Sequence, residues 1–232
     1  MAPITEFISI ELDPSIDPED PMSPGSMIWK QAIGELASQP GCLGLQWARR
    51  VESPEWLVVK IDWNTWEDYA ALDGHKHFEE LMAPLSTNKP VISDAAIYGP
   101  FTASEVLSAA PTIEILTLLM PSSWSSEQTA ALELAAVKVS TSTLSRPNGV
   151  KAVTHAWLTS EVDHPDSPTG KAKALRFLLA WPSLTIHHEV MATDEFKKNM
   201  GPIKAKCLPP VYGRGMFHAE FSTANSLSSL KR

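Results

Sequence analysis

The 232-residue chain predicts an α+β protein made of two tandem βαββαβ repeats. A set of landmarks occurs twice. Trp63 is followed by Phe78, Met82, Pro84 and the pair Tyr98-Gly99; Trp181 is followed by Phe196, Met200, Pro202 and Tyr212-Gly213. The first three intervals are the same in both copies, at fifteen, four and two residues. Ordered landmarks at fixed spacing are the mark of an internal duplication. Around each copy the hydrophobic period changes in the same sequence, from two to 3.6 and back, so strands and helices alternate in the same order. The apolar content of 44% is enough to give each half its own core.

Residues 4–12, ITEFISIEL, alternate and are rich in β-branched types, which predicts a strand. Residues 13–25 hold four prolines and read as a loop, because proline removes donors and fixes φ. Residues 26–38 place Met27, Ile33, Leu36 and Ala37 on one helical stripe, with Ser26 available as a cap. CLGLQWARRVE and EWLVVKIDW follow as two strands. Thr65 and Asp68 then have capping-box spacing for a second helix, with a bend at Gly74. VISDAAIYGPF closes the half as a strand. The second half repeats the order: strand PTIEILTLLMP, a helix opened by Ser125 and Gln128, two strands around DHPDSPTG, a helix after Ser183, and strand VYGRGMFHAEFS. The predicted division is repeat 1 over 1–101, a polar linker over 102–109, repeat 2 over 110–222 and a fraying tail over 223–232.

The formal charge is −8, and the basic residues are scattered. This argues against a nucleic-acid surface, which needs clustered Lys and Arg to neutralise phosphate. Cys42 and Cys207 stand in different halves with no CxxC, which reads as two reduced thiols. The amino terminus lacks a basic region followed by a long apolar one, and no apolar run reaches the roughly 20 residues of a membrane helix. The expectation is a soluble cytoplasmic protein with no membrane partner.

The order β-α-β-β-α-β is the ferredoxin-like arrangement. The Trp ending the third strand, the helix stretches HKHFEEL and TDEFKKNM, and the closing Tyr-Gly strand resemble the dimeric α+β barrel superfamily. The style is that of tandem fungal proteins of the antibiotic-biosynthesis-monooxygenase type. The resemblance implies two ferredoxin-like repeats in one chain, able to pair further into a homodimer. It also implies a cofactor-independent tailoring enzyme of fungal secondary metabolism. A cyclase or isomerase, including a pericyclase, acting on a hydrophobic polyketide- or terpenoid-like intermediate is the first reading. A cofactor-independent monooxygenase or dehydratase is the second, and a non-catalytic ligand-binding or stress protein the third.

The residues favour chemistry without a cofactor. No nucleophile elbow, Walker or Rossmann glycine pattern is present. His75 and His77 lie about 200° apart around a helix and His187 and His188 about 100°, so neither pair chelates a metal from one face; no metal is expected. The candidate acid–base residues are His188, His77 and His155. His77 stands one turn after Asp73, and His155 shares a strand face with Trp157. The expected substrate walls are Trp66, Tyr69, Trp157, His187, Met191, Tyr98 and Tyr212. Eight tryptophans in the chain suit an apolar ligand cavity between sheet and helices.

Overall fold

The computed structural model describes residues 2–14, 16–71, 80, 82–87, 89–144 and 149–223. Two compact units emerge, Met1–Ala95 with Glu220–Arg232, and Ala96–Ala219. Each contains one antiparallel sheet with helices, as the two βαββαβ patterns predict.

In the first unit, β1 (Ile4–Glu11), β2 (Cys42–Arg49), β3 (Trp56–Trp63), β4 (Ile92–Ala96) and the short β10 (Ser222–Thr223) form a sheet of order β10-β2-β3-β1-β4. β1 and β3 pair from Ile4↔Trp63 to Glu11↔Trp56. Period-two alternation puts Ile4, Ile8 and Ile10 on one face with Leu57, Val59, Ile61 and Trp63. That face packs on α1 (Pro24–Ala37) through Trp29, Ala32, Ile33 and Leu36. The α1 start differs from the expectation. Ser23 is the cap, its hydroxyl accepting from the Gly25 N–H, and Pro24 sits at the first helical position. Proline there needs no donor, so the helix begins two residues before the predicted Ser26. α2 (Trp66–Ala71) follows β3, and the Asp68 N–H donates to Thr65 Oγ1 as the spacing predicts. The expected bend at Gly74 lies outside the described residues.

The opposite face of this sheet carries a buried charge pair. Lys60 is 1% exposed, its ammonium donates to Asp62, and Asp62 also accepts from Thr5 Oγ1 at 2.7 Å. Burial pushes the Lys60 pKa down, with Asp62 opposing.

In the second unit, β5 (Thr112–Pro121), β6 (Ala152–Trp157), β8 (Lys171–Trp181) and β9 (Met216–Ala219) run in the order β6-β8-β5-β9, with β7 (Val162–Asp163) added to β8. Leu118, Met120, Leu175, Phe177, Leu179 and Trp181 face α4 (Ser126–Ser142), α5 (Leu184–Ala192) and α6 (Asp194–Lys204). Ser125 and Gln128 close the capping box on α4, and Ser183 caps α5. Thr193 ends α5 and opens α6: its hydroxyl donates to Val190 O at 2.7 Å and accepts from the Phe196 N–H at 3.3 Å.

Two segments differ from the sequence reading. Residues 102–109, expected as a linker, contain α3 (Ala103–Leu107), opened by a Thr102–Glu105 capping box and burying Ala103, Val106 and Leu107. The small polar composition hid three in-phase apolar residues. Ser222 and Thr223, expected at the end of repeat 2 and the start of a fraying tail, pair with Trp47 and Gln46 of β2. β2 would otherwise be a sheet edge with open backbone donors and acceptors, and β10 satisfies part of it. Residues 224–232 lie outside the described residues. Both cysteines are free, and burial pushes the Cys207 thiol up to about 11. Among the described residues no helix is long and apolar enough to cross a membrane.

Candidate functional site

Glu114 sits on β5, in the middle of an apolar strand, and points to the helix side of its sheet with Leu116 and Leu118. A carboxylate there needs donors to offset lost hydration. Three elements supply its surroundings. Trp181, at the end of β8, donates its indole N–H to Glu114 Oε2 at 2.8 Å. His187, on the first turns of α5, brings Nε2 to 3.2 Å from Glu114 Oε2. His218, on β9 directly opposite Glu114 in the ladder, places Nε2 2.9 Å from His187 Nδ1. All are deeply buried: Glu114 is 5% exposed, His187 1%, His218 0%.

An ionised Glu114 sets one order of donors and acceptors along the group. An ionised Glu114 only accepts, so His187 Nε2 carries hydrogen toward it. His187 Nδ1 is then the acceptor, and His218 donates through its own Nε2. The result is a line, Glu114–His187–His218, in which one carboxylate orients two imidazoles. His188 is exposed, with its ring centroid 5.7 Å from that of His187 and 6.3 Å from that of His218. It stands where the line nears solvent.

Imidazole and carboxylate are also metal ligands, and one ligand atom from each of Glu114, His187 and His218 lies within 4.8 Å of the others. The sequence reading, which considered only neighbouring histidines, did not assemble this group. As arranged, however, His187 gives one ring nitrogen to each neighbour. In this arrangement the three residues form a path for a proton.

The first unit holds the matching arrangement with different chemistry. Glu6 stands two residues along β1 from the partner of Trp63, as Glu114 stands two along β5 from the partner of Trp181. Trp63 donates its indole N–H to Glu6 Oε2 at 2.8 Å, and Ser93 Oγ donates to Oε1 at 2.7 Å. Tyr69 follows Trp63 by six residues, as His187 follows Trp181. Burial, and then the Glu6 charge, push the Tyr69 pKa up, so it stays a neutral phenol. The carboxylate–indole pair is common to both repeats. Among the described residues, the imidazoles are found beside the carboxylate of the second unit.

The structure brings the proposed residues together only in part. His187 and His188 join His218, a strand histidine able to line a pocket, and Glu114, which the sequence reading does not mark as a candidate. A signal for the carboxylates existed: Glu6 and Glu114 lie in phase with core residues of their strands, a position that demands a partner. His77 lies outside the described residues. Tyr69 and Trp66 meet edge-on at 5.6 Å in the first unit, with Trp66 37% exposed. Met191 is half-buried on α5; Tyr98 is buried and Tyr212 exposed.

His155 and Trp157 form a separate group. His155 Nε2 lies 3.0 Å from Glu133 Oε1, Trp157 donates to Glu133 Oε2 at 2.9 Å, and His155 stacks on Phe177. Glu133 belongs to α4, so this carboxylate pins the helix to the β6 strand. Glu133→Ala is expected to cost about 1–2 kcal/mol, since both half-buried donors lose a charged acceptor. His155→Ala, which keeps the Trp157 bond, costs less. Urea melts of the two variants check the order, and equal losses would show that the shared carboxylate is not the fastener.

In the second unit the space between sheet and helices is small. Between sheet and helices, Glu114, Leu116, Val139, Leu179, Trp181, Phe196 and Met200 surround about 20 Å³, room for about one water. A larger groove of about 320 Å³ lies outside, lined by Ala135, Lys138, Val139, Ser142, Glu195, Asn199 and Ile203.

No family model matches the sequence, and no curated protein does. Solved structures match almost end to end. One is an anthrone oxidase-like protein, with TM-score 0.63 and 14% identity over 97% of this chain and 94% of that one. Another is a candidate chlorite dismutase, with TM-score 0.61 and 10% identity over 99% of each chain. A third is a candidate monooxygenase from Fusobacterium nucleatum subsp. nucleatum, with TM-score 0.54 and 11% identity over 96% and 93%. The chain shares with them a fold of two ferredoxin-like α+β units. At these identities the likeness establishes the fold, and the reaction is argued from the site.

Proposed function

We propose that the protein is an enzyme that moves a proton on a small hydrophobic molecule without a cofactor, using Glu114, His187 and His218 as its acid–base line. The observation that carries this is the unbroken buried run of carboxylate and two imidazoles, present in one repeat and replaced by Tyr69 and Ser93 in the other. A proton taken up by His218 at Nδ1 releases the Nε2 proton to His187 Nδ1, and the His187 Nε2 proton moves toward Glu114. No group has to travel, and the dry surroundings strengthen each interaction. Such a line suits a cyclisation or isomerisation of a polyketide- or terpenoid-like intermediate, in which a proton leaves one atom and returns at another. His188 would exchange that proton with water.

A second reading is oxygenation. The anthrone oxidase-like and monooxygenase neighbours favour it. Here the same base would deprotonate an acidic C–H, and the resulting carbanion would itself reduce dioxygen. A panel of anthrones, naphthols and 1,3-diketones in deuterated buffer under air separates the readings. Deuterium exchange or an isomeric product without oxygen uptake supports the first; enzyme-dependent oxygen uptake supports the second. Exchange at the buffer rate across the panel, with the compounds nevertheless bound, would leave a ligand-binding protein and sink the proposal.

A further inference from the structure

We propose that the outer groove between α4 and α6 is the ligand's binding vestibule, and that Val139, Phe196 and Met200 are the gate between it and the Glu114 line. The inference rests on the functional reading above for what lies behind the gate.

Val139 lines both the groove and the inner cavity. Glu195 and Asn199 face the groove, while their chain neighbours Phe196 and Met200 face the cavity. One layer of side chains therefore separates the two spaces. The groove, at about 320 Å³, is within the size range of small-molecule sites, whereas the inner cavity, at about 20 Å³, is far below it. A molecule seated in the groove reaches the Glu114 end of the line when this layer parts.

The α6 helix is built to allow that. It is separated from α5 by Thr193, whose extended backbone (φ −67, ψ 143) breaks the helix while its hydroxyl serves both ends. Within α6 only Met200 and Ile203 are buried, and Pro202 removes one donor from its last turn. A helix held by so few apolar contacts opens at low cost. The groove offers apolar Ala135, Val139 and Ile203 beside Lys138, Glu195 and Asn199. Its occupant is a flat apolar molecule with a polar edge.

The test uses 1-anilinonaphthalene-8-sulfonate, followed by fluorescence titration of the full chain. Val139→Trp fills the gate; Asn199→Trp obstructs the groove from an exposed position that cannot disturb the core. Each is expected to weaken dye binding by about tenfold or more, a 1.4 kcal/mol change. His187→Gln, whose substitution leaves the groove lining intact, should slow proton exchange by about 10²–10⁴-fold. Loss of binding in both Trp variants with circular dichroism unchanged supports the vestibule. Wild-type binding retained by Asn199→Trp, or no binding by the wild type, overturns it. Dye bound as expected with no proton exchange by any protein would fail the functional reading alone.

Discussion

His187→Gln lowers the proton-transfer rate by about 10²–10⁴-fold, the span of one positioned acid–base group. Glutamine can still donate an amide N–H toward Glu114 and accept from His218, so the hydrogen-bonded frame survives. What it cannot do is accept a proton at one atom and release one at another. His188→Gln, at the exposed end, changes the rate far less, because water can take over exchange there. The measurement is deuterium exchange into the best compound of the panel, with thermal melts showing that both variants fold. Wild-type exchange in His187→Gln would remove the imidazole line from the mechanism.

Asp62→Ala is expected to destabilise the protein by about 3–5 kcal/mol, the cost of leaving a buried charge without its partner. Lys60 is almost fully buried, and Asp62 is the carboxylate its ammonium donates to. The pH dependence has a definite sign. The folded pKa of Lys60 is depressed below its unfolded value. Below that folded value both states are protonated and the cost is fully present. As the pH rises through it, the folded chain loses the proton while the unfolded chain keeps it, so stability increases. Asp62 is what holds the proton on Lys60, so removing it lowers the folded value further, and the Asp62→Ala deficit shrinks as the pH rises toward the unfolded Lys pKa of about 10.4. Lys60→Met with Asp62→Leu, which removes both charges, recovers most of the loss. Urea melts across that window check the slope, and a deficit independent of pH would show that Lys60 charge is not its origin.

The α1 cap, the α3 helix and the imidazole line show how far residues alone could lead. Ser125–Gln128 and Thr65–Asp68 were readable because a cap is settled within four residues. Thr102–Glu105 has the same spacing and was obscured by its small polar neighbours. Pro24 moved the start of α1 because its own geometry, not the hydrophobic stripe, sets the first turn. The site was harder. His187 and His188 are legible as candidates, but their adjacency says only that the pair cannot chelate one metal from one helix face. Their partners come from β5 and β9, which are distant in sequence and adjacent in the sheet.

By itself the sequence determined the duplication, the order of strands and helices, and the two tryptophans that end the third strand of each repeat. These follow from local periodicity and fixed intervals, which are properties of the chain. Only the tertiary structure decided that Glu114, His187 and His218 meet, that Glu6 meets Tyr69 and Ser93 instead, and that close packing leaves a water-sized space beside the carboxylate. Those outcomes depend on strand register and on which side chain faces the helix layer, and a contact across about 30–100 residues of chain leaves no periodic trace in either segment.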